Sequence, residues 1–275
     1  MSDPITESKM PMLDHLVELR RRLTWSVVAF FILFFASFYF AGAVFDFLMQ
    51  PLRDLWADDP SRRMIFTALH EKFFTEIKIA FFVAAFLSFP IVSNQIWAFV
   101  APGLYRNEKK AFLPFLIATP VLFFIGGAFV YYVVLPVAWE FFAGYEQAAG
   151  DDTLAIQLEP KVDQYLSLVM RLIFAFGLSF ELPVVLTLLA KVGIVDAQGL
   201  RKQRRYAIVV AFVAAAVLTP PDPISQLGLA IPIIILYEIS IICAGIVGRS
   251  KQNAEDDVED DDEDETDGTD KPSPA

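Results

Sequence analysis

Long stretches without a charged residue constrain this chain more than any other feature. Residues 25–45, 79–101 and 111–139 contain no Asp, Glu, Lys or Arg, giving uncharged runs of 21, 23 and 29 residues. Residues 172–190 and 226–248 add runs of 19 and 23, each broken by one acid, Glu181 and Glu238, and residues 206–221 add a run of 16. A helix needs about 20 mostly apolar residues to cross a bilayer. The pattern therefore predicts an all-α polytopic membrane protein with six transmembrane helices. The first run follows Arg20-Arg21-Arg22 and ends near Ala41-Gly42-Ala43, in the manner of a cleavable leader. It exceeds the roughly 7–15 residues of a signal h-region, and an uncleaved first span is expected.

Charge supplies the orientation. The net charge of −11 is concentrated in residues 249–275, which hold 12 acids and 3 bases. The body of the chain is thus nearly neutral, which makes nucleic acid a poor partner. Lys and Arg number 15 on the N-terminus, the second and fourth loops and the C-terminus, against 5 on the other three loops. The positive-inside rule then puts both termini in the cytoplasm. Three domains are expected: a cytoplasmic N-terminal segment over 1–24, a transmembrane domain over 25–248, and a disordered, solvated acidic tail over 249–275. Of the outer loops, residues 46–76 contain Met64–Phe74, a candidate amphipathic segment.

Spans five and six are expected to be short. Tyr206–Leu218 would reach only roughly 20 Å at about 1.5 Å per residue, against a hydrocarbon core about 30 Å thick. That mismatch predicts either a locally thinned bilayer or a helix that extends beyond these residues. Pro90, Pro114, Pro120, Pro136, Pro183 and Pro232 punctuate the spans. They point to a curved bundle, because proline removes a backbone donor and bends a helix.

Catalytic chemistry finds no footing. One cysteine and two histidines, His15 and His70, leave no Cys-type metal site and little for a His-based one. No phosphate-binding glycine loop or nucleophile elbow is present. The expectation is a non-enzyme without metal or cofactor.

Acids inside or beside the spans are the candidates for function. Glu18 precedes span one and shares a helical face with Asp14. It reads either as a local partner of Arg21 or Arg22 or as a binding carboxylate. Glu108 is the one acid among Arg106, Lys109 and Lys110. It reads as local charge balance or as a carboxylate sheltered by Phe99, Leu104 and Tyr105 that pairs with a guanidinium fork. Glu181 lies mid-span, where an ionisable group is costly and faces protein or water. Asp222 and Gln226 can join it in a polar cluster, or serve as a turn residue and an interhelical hydrogen-bonder. Glu238 can pair with a base of the fourth loop.

Four segments carry a resemblance. They are His15-Leu16-Val17-Glu18-Leu19-Arg20, then Gln95 to Tyr105 with Glu108, then Ser179-Phe180-Glu181-Leu182-Pro183, and Leu218-Thr219-Pro220-Pro221-Asp222 with Ser225-Gln226. Together, over about residues 12–248, they resemble TatC, the multispanning subunit of the twin-arginine protein translocase. The resemblance implies a glove-like six-span fold in the bacterial inner membrane with both termini cytoplasmic. It implies a core subunit of a multimeric complex that receives twin-arginine signal peptides of folded cargo, works with the single-span proteins TatA and TatB, and draws on the proton-motive force. It implies that Glu18 and Glu108 receive the arginines, with Phe99, Leu104 and Arg20 shaping that site. Glu181 and Gln226 would contact partner helices within the membrane, and Pro51 and Asp222 would belong to the outer face. Two rival readings remain beside it: a proton-coupled carrier using Glu181, and a scaffold that reads no peptide. The lack of visible internal repeats weighs against the carrier.

Overall fold

The computed structural model describes the backbone of residues 12–57, 59, 62–100, 109–147, 157–219 and 223–266, and the side chains of 16–57, 59, 62–99, 114–147, 157–219, 223 and 226–248. The chain forms ten α-helices among these residues. They are α1 (Met12–Tyr39), α2 (Ala41–Leu55), α3 (Glu71–Val100), α4 (Lys109–Phe129), α5 (Leu135–Ala143), α6 (Val162–Ser179), α7 (Leu182–Lys191), α8 (Ala197–Lys202), α9 (Arg204–Leu218) and α10 (Pro223–Thr266). Five helical segments are long and apolar enough to cross a membrane: Leu16–Tyr39, Glu71–Phe99, Pro114–Ala143, Val162–Lys191 and Gln226–Gly248. The fifth expected span is α9, whose 15 residues reach about 22 Å.

Proline sets the local breaks. Pro136 enters α5 directly after a π-helical turn over Val130–Val134. A widened turn accommodates a ring that would otherwise clash with the carbonyl four residues back. Pro183 sits in the first turn of α7, and the segment Val162–Lys191 breaks just before it, at Phe180 and Glu181. The core gathers around α6, where Leu166, Val169 and Phe176 are fully buried among residues of α2, α3, α5 and α9. The α4–α6 crossing is tight: a Cβ on Gly126 would lie 2.7 Å from the Phe176 carbonyl, and one on Gly177 would strike the Phe123 ring.

At one end, which we call the loop end, the two long connections are laced together. Ile65 N donates to the Pro160 carbonyl at 3.3 Å and Val162 N to the Ile65 carbonyl at 3.2 Å. Arg62 meets Glu146 with both terminal nitrogens, Nη2 to Oε2 at 2.6 Å, and reaches Asp59 through Nε at 3.0 Å. Lys78 pairs with Asp163. Glu71 caps the start of α3 by accepting from Thr67 N at 2.8 Å and Ala68 N at 3.2 Å.

Several expectations need correction. Span one ends at Tyr39 rather than 45, because the apolar residues that follow belong to α2, whose buried face carries Ala41, Leu48 and Leu52. The amphipathic element of that connection is therefore α2, whereas Met64–Phe74 contains the Ile65–Lys161 bridge and the start of α3. Span six is not short: Gln226–Gly248 covers 23 residues. Its lone acid does not interrupt it, since Glu238 Oε2 accepts from Arg204 Nη2 at 2.6 Å. The backbone of α10 itself runs past the expected boundary at 249, to Thr266. Extending an established helix costs far less than nucleating one.

Candidate functional site

The opposite end, where α1 begins, gathers the first of the candidate residues. α1 packs along α3 with its Glu18, Arg22, Ser26 and Phe30 side, each four residues from the next. Ser26 is buried there, and Phe30 meets Phe81 edge to face at 5.1 Å. Ser26 Oγ donates back to the Arg22 carbonyl at 3.1 Å, which keeps the hydroxyl satisfied on an apolar seam. Small residues along α3, Ala80, Ala84 and Ser88, are buried at the same four-residue interval and allow close helix approach.

Glu18 therefore sits where this seam emerges, with its side chain only 15% exposed. Arg22 holds it: Nε donates to Oε1 at 2.9 Å and Nη2 to the same oxygen at 2.5 Å. The third nitrogen of the fork, Nη1, donates to Gln95 Oε1 of α3 at 3.3 Å. Gln95 lies one turn before the half-buried Phe99 on α3. The acid, its arginine and Gln95 thus join the two helices near the aromatic. The local pairing that the sequence offered for Glu18 is present, with Arg22 rather than Arg21 as partner.

Arg20 is exposed and turned from this cluster, and its carbonyl accepts from Thr24 Oγ1 at 2.8 Å. Glu108, Leu104 and Asp222 lie outside the described residues. Pro51 is buried in the middle of α2 at the loop end.

Glu181 occupies the break between α6 and α7. It is 8% exposed, and neither carboxylate oxygen has a hydrogen-bond partner among the described residues. Thr119 of α4 lies beside it, and its hydroxyl oxygen accepts from Trp97 Nε1 of α3 at 3.1 Å. Thr187, on the following α7, is also buried with an unpartnered hydroxyl. The break before Pro183 thus holds a buried carboxyl inside an apolar segment. Gln226 does not join it. Its Nε2 donates to the Phe212 carbonyl at 3.2 Å and ties α10 to α9.

Sequence reasoning named Arg22 as a partner of Glu18 but passed over Gln95 as a member of the first cluster, and Trp97 and Thr119 as neighbours of the second. Gln95 was open to discovery, standing four residues before Phe99 on one helical face. Thr119 carries no such signal, because an isolated Thr in an apolar run is commonplace.

Nothing in these two clusters resembles a catalytic constellation. What they offer is a carboxylate suited to a guanidinium at one end and an unpaired carboxyl within the apolar layer. Comparison with known proteins identifies the family. A sequence model of the family described as "Sec-independent protein translocase protein (TatC)" matches residues 14–232. The Sec-independent protein translocase protein TatC of Magnetococcus marinus is 49% identical over 90% of this chain and 89% of its own length. That of Escherichia coli K12 is 39% identical over 90% of this chain and 94% of its own length. A crystal structure of a twin arginine translocase receptor, TatC, superposes with a TM-score of 0.73 at 39% identity, covering 85% of this chain and 99% of that one. The chain belongs to the TatC family of Sec-independent protein translocase proteins.

Proposed function

We propose that this chain is the signal-peptide receptor and core subunit of a twin-arginine translocase in a bacterial inner membrane. It takes folded cargo and spends the proton-motive force, of which a potential of about 100 mV supplies roughly 2.3 kcal/mol per charge moved. The observation that carries the reading is Glu18: a carboxylate largely covered on a helix–helix seam, already engaged by a guanidinium through two nitrogens. A site with that geometry accepts an arginine fork and offers less to the point charge of lysine.

In this reading Glu18 and Glu108 receive the two arginines. Phe99 and Leu104 line the site, and Arg20 belongs to its rim. The chain crosses the membrane six times with both termini cytoplasmic, and α9 is the fifth crossing. The bundle curves like a glove, as its interior prolines would bend it. Glu181 and Gln226 meet the single-span helices of TatA and TatB. Pro51 and Asp222 belong to the outer face, which coincides with the loop end. The short α9 thins the bilayer beside it; a neutron-measured thickness that stayed unperturbed around the reconstituted protein would remove this part.

The test is photo-crosslinking of a twin-arginine signal peptide to the protein in membranes. Glu108→Gln should strongly weaken crosslinking and Glu108→Asp should weaken it less. Equal labelling of wild type and Glu108→Gln would take Glu108 out of the site.

A further inference from the structure

Glu18 is not vacant. Its Oε1 accepts from two nitrogens of Arg22, and that same guanidinium uses its remaining nitrogen on Gln95. Arg22 is 21% exposed and lies one helical turn nearer the apolar layer than Glu18. A guest fork that binds in the two-pronged geometry needs both carboxylate oxygens, and one of them, Oε1, is already taken by two nitrogens of Arg22.

We propose that Arg22 is a positioning residue that occupies Glu18 as an internal stand-in for the guest arginine, so that peptide binding is an exchange of one guanidinium for another. This rests on the receptor reading above. Arg22 has a place to go: Gln95 already accepts from it across the α1–α3 seam and can keep it when Glu18 is taken. The exchange is charge-neutral at the carboxylate, because one fork replaces another and no buried acid is left bare.

The physical effect follows from the populations. A guest binds only the fraction of molecules whose Glu18 is open, and its apparent affinity is lowered by that fraction. The reduction falls equally on arginine and lysine guests. Arg22 therefore leaves the ratio of their intrinsic affinities unchanged and moves both toward weaker binding. Weak sequences then fail to occupy the site at working concentrations, while a full twin-arginine segment still does. The stand-in acts as a threshold.

The experiment uses the full chain in nanodiscs and a fluorescent peptide with an Arg-Arg pair ahead of an apolar segment, read by anisotropy beside its Lys-Lys analogue. Arg22→Lys keeps the charge and removes the fork. It should tighten Arg-Arg binding roughly twofold to fivefold, the range expected for releasing a partly covered ion pair. Arg22→Gln should tighten it further. Arg21→Gln, which removes the same charge from an exposed neighbour, should gain less than Arg22→Gln. In a Glu18→Gln background, Arg22→Lys should have no effect. Unchanged or weaker binding by Arg22→Lys would overturn the proposal and leave Arg22 as a brace for Glu18. If wild type showed no preference for Arg-Arg and no loss with Glu18→Gln, the receptor reading itself would fall. If those hold and only the Arg22→Lys gain is missing, the stand-in alone falls. Should Arg22→Gln give no folded protein by size exclusion, Arg22→Lys with its Glu18→Gln double still decides.

Discussion

The two ends of the molecule differ in how they hold their charges, although Arg204 and Glu238 join separate helices at the end where α1 begins. At the loop end, acids and bases far apart in sequence are joined: Arg62 with Glu146, Arg63 with Glu159, and Lys78 with Asp163. At the N-terminal end, Glu18 pairs inside its own helix, four residues away, and deeper in the layer Glu181 has no hydrogen-bond partner among the described residues. A pair that spans two connections orders both, so its worth is architectural. Glu18 is held by an arginine of its own helix, and only the third nitrogen of that arginine, on Gln95, reaches another helix. In the proposed reading the loop end carries the architectural pairs and Glu18 an exchangeable one.

The largest effect that would sharpen this contrast is on recognition. Glu18→Gln should weaken twin-arginine peptide binding by tenfold or more, about 1.4 kcal/mol or above, while the thermal midpoint in detergent moves little. A large drop in midpoint with intact binding would make Glu18 a structural acid like those of the loop end.

Next come packing changes that should touch stability alone. Gly126→Leu forces side-chain atoms against the Phe176 carbonyl, which a Cβ already approaches to 2.7 Å. Overpacking of this kind costs about 1–3 kcal/mol, readable as a lower thermal midpoint. A stable Gly126→Leu variant would contradict the α4–α6 crossing.

The loop-end pair gives the third test, with a defined pH sense. The hydrogen bonds from Arg62 hold the Glu146 carboxyl below its ordinary value of 4.5, and the backbone N–H of Leu158 adds to them. The pair's contribution is therefore full above that ordinary value and is lost as pH falls through it toward the depressed value. Stability should decline more steeply below about pH 5 in wild type than in Glu146→Gln, with peptide binding at neutral pH unaffected by the substitution. Parallel declines would show that the lacing does not depend on this carboxylate.

A smaller effect is expected at Glu181. Glu181→Gln keeps the shape and removes the option of charge, so the fold should persist while crosslinking to the single-span partners falls. Unchanged crosslinking together with lost substrate-independent proton flux would favour the carrier reading. The smallest concerns the tail. Its run of acids is suited to repelling or screening anionic lipid near the surface. Truncation after Lys251 should then shift association with anionic vesicles; unchanged transport and association would leave that role without support.

Much of this was legible in the sequence, for identifiable reasons. Uncharged runs find membrane-crossing helices because few backbone arrangements are tolerated in lipid. Glu181 stood out because an acid there is costly, and its place at the α6–α7 break follows from Pro183. The end of α1 was not legible. α2 is also apolar on its buried face, and composition cannot tell a helix that continues from one that turns. Arg22 was legible only as one of two local partners for Glu18, because a neighbouring arginine at four residues ordinarily means an exposed pair of little consequence. Only the packing of α1 on α3 reveals that this pair is largely covered and tied to Gln95. Pairings such as Arg62 with Glu146 depend on two connections meeting in space, and no spacing along the chain encodes that.

The most direct test of the central claim is crosslinking of a photo-labelled signal peptide to this protein in membranes, with Arg-Arg compared against Lys-Lys. The account predicts labelling near Glu18 and Glu108 that is lost with Lys-Lys. Labelling that ignores the arginines, or that maps to the loop end, would contradict it.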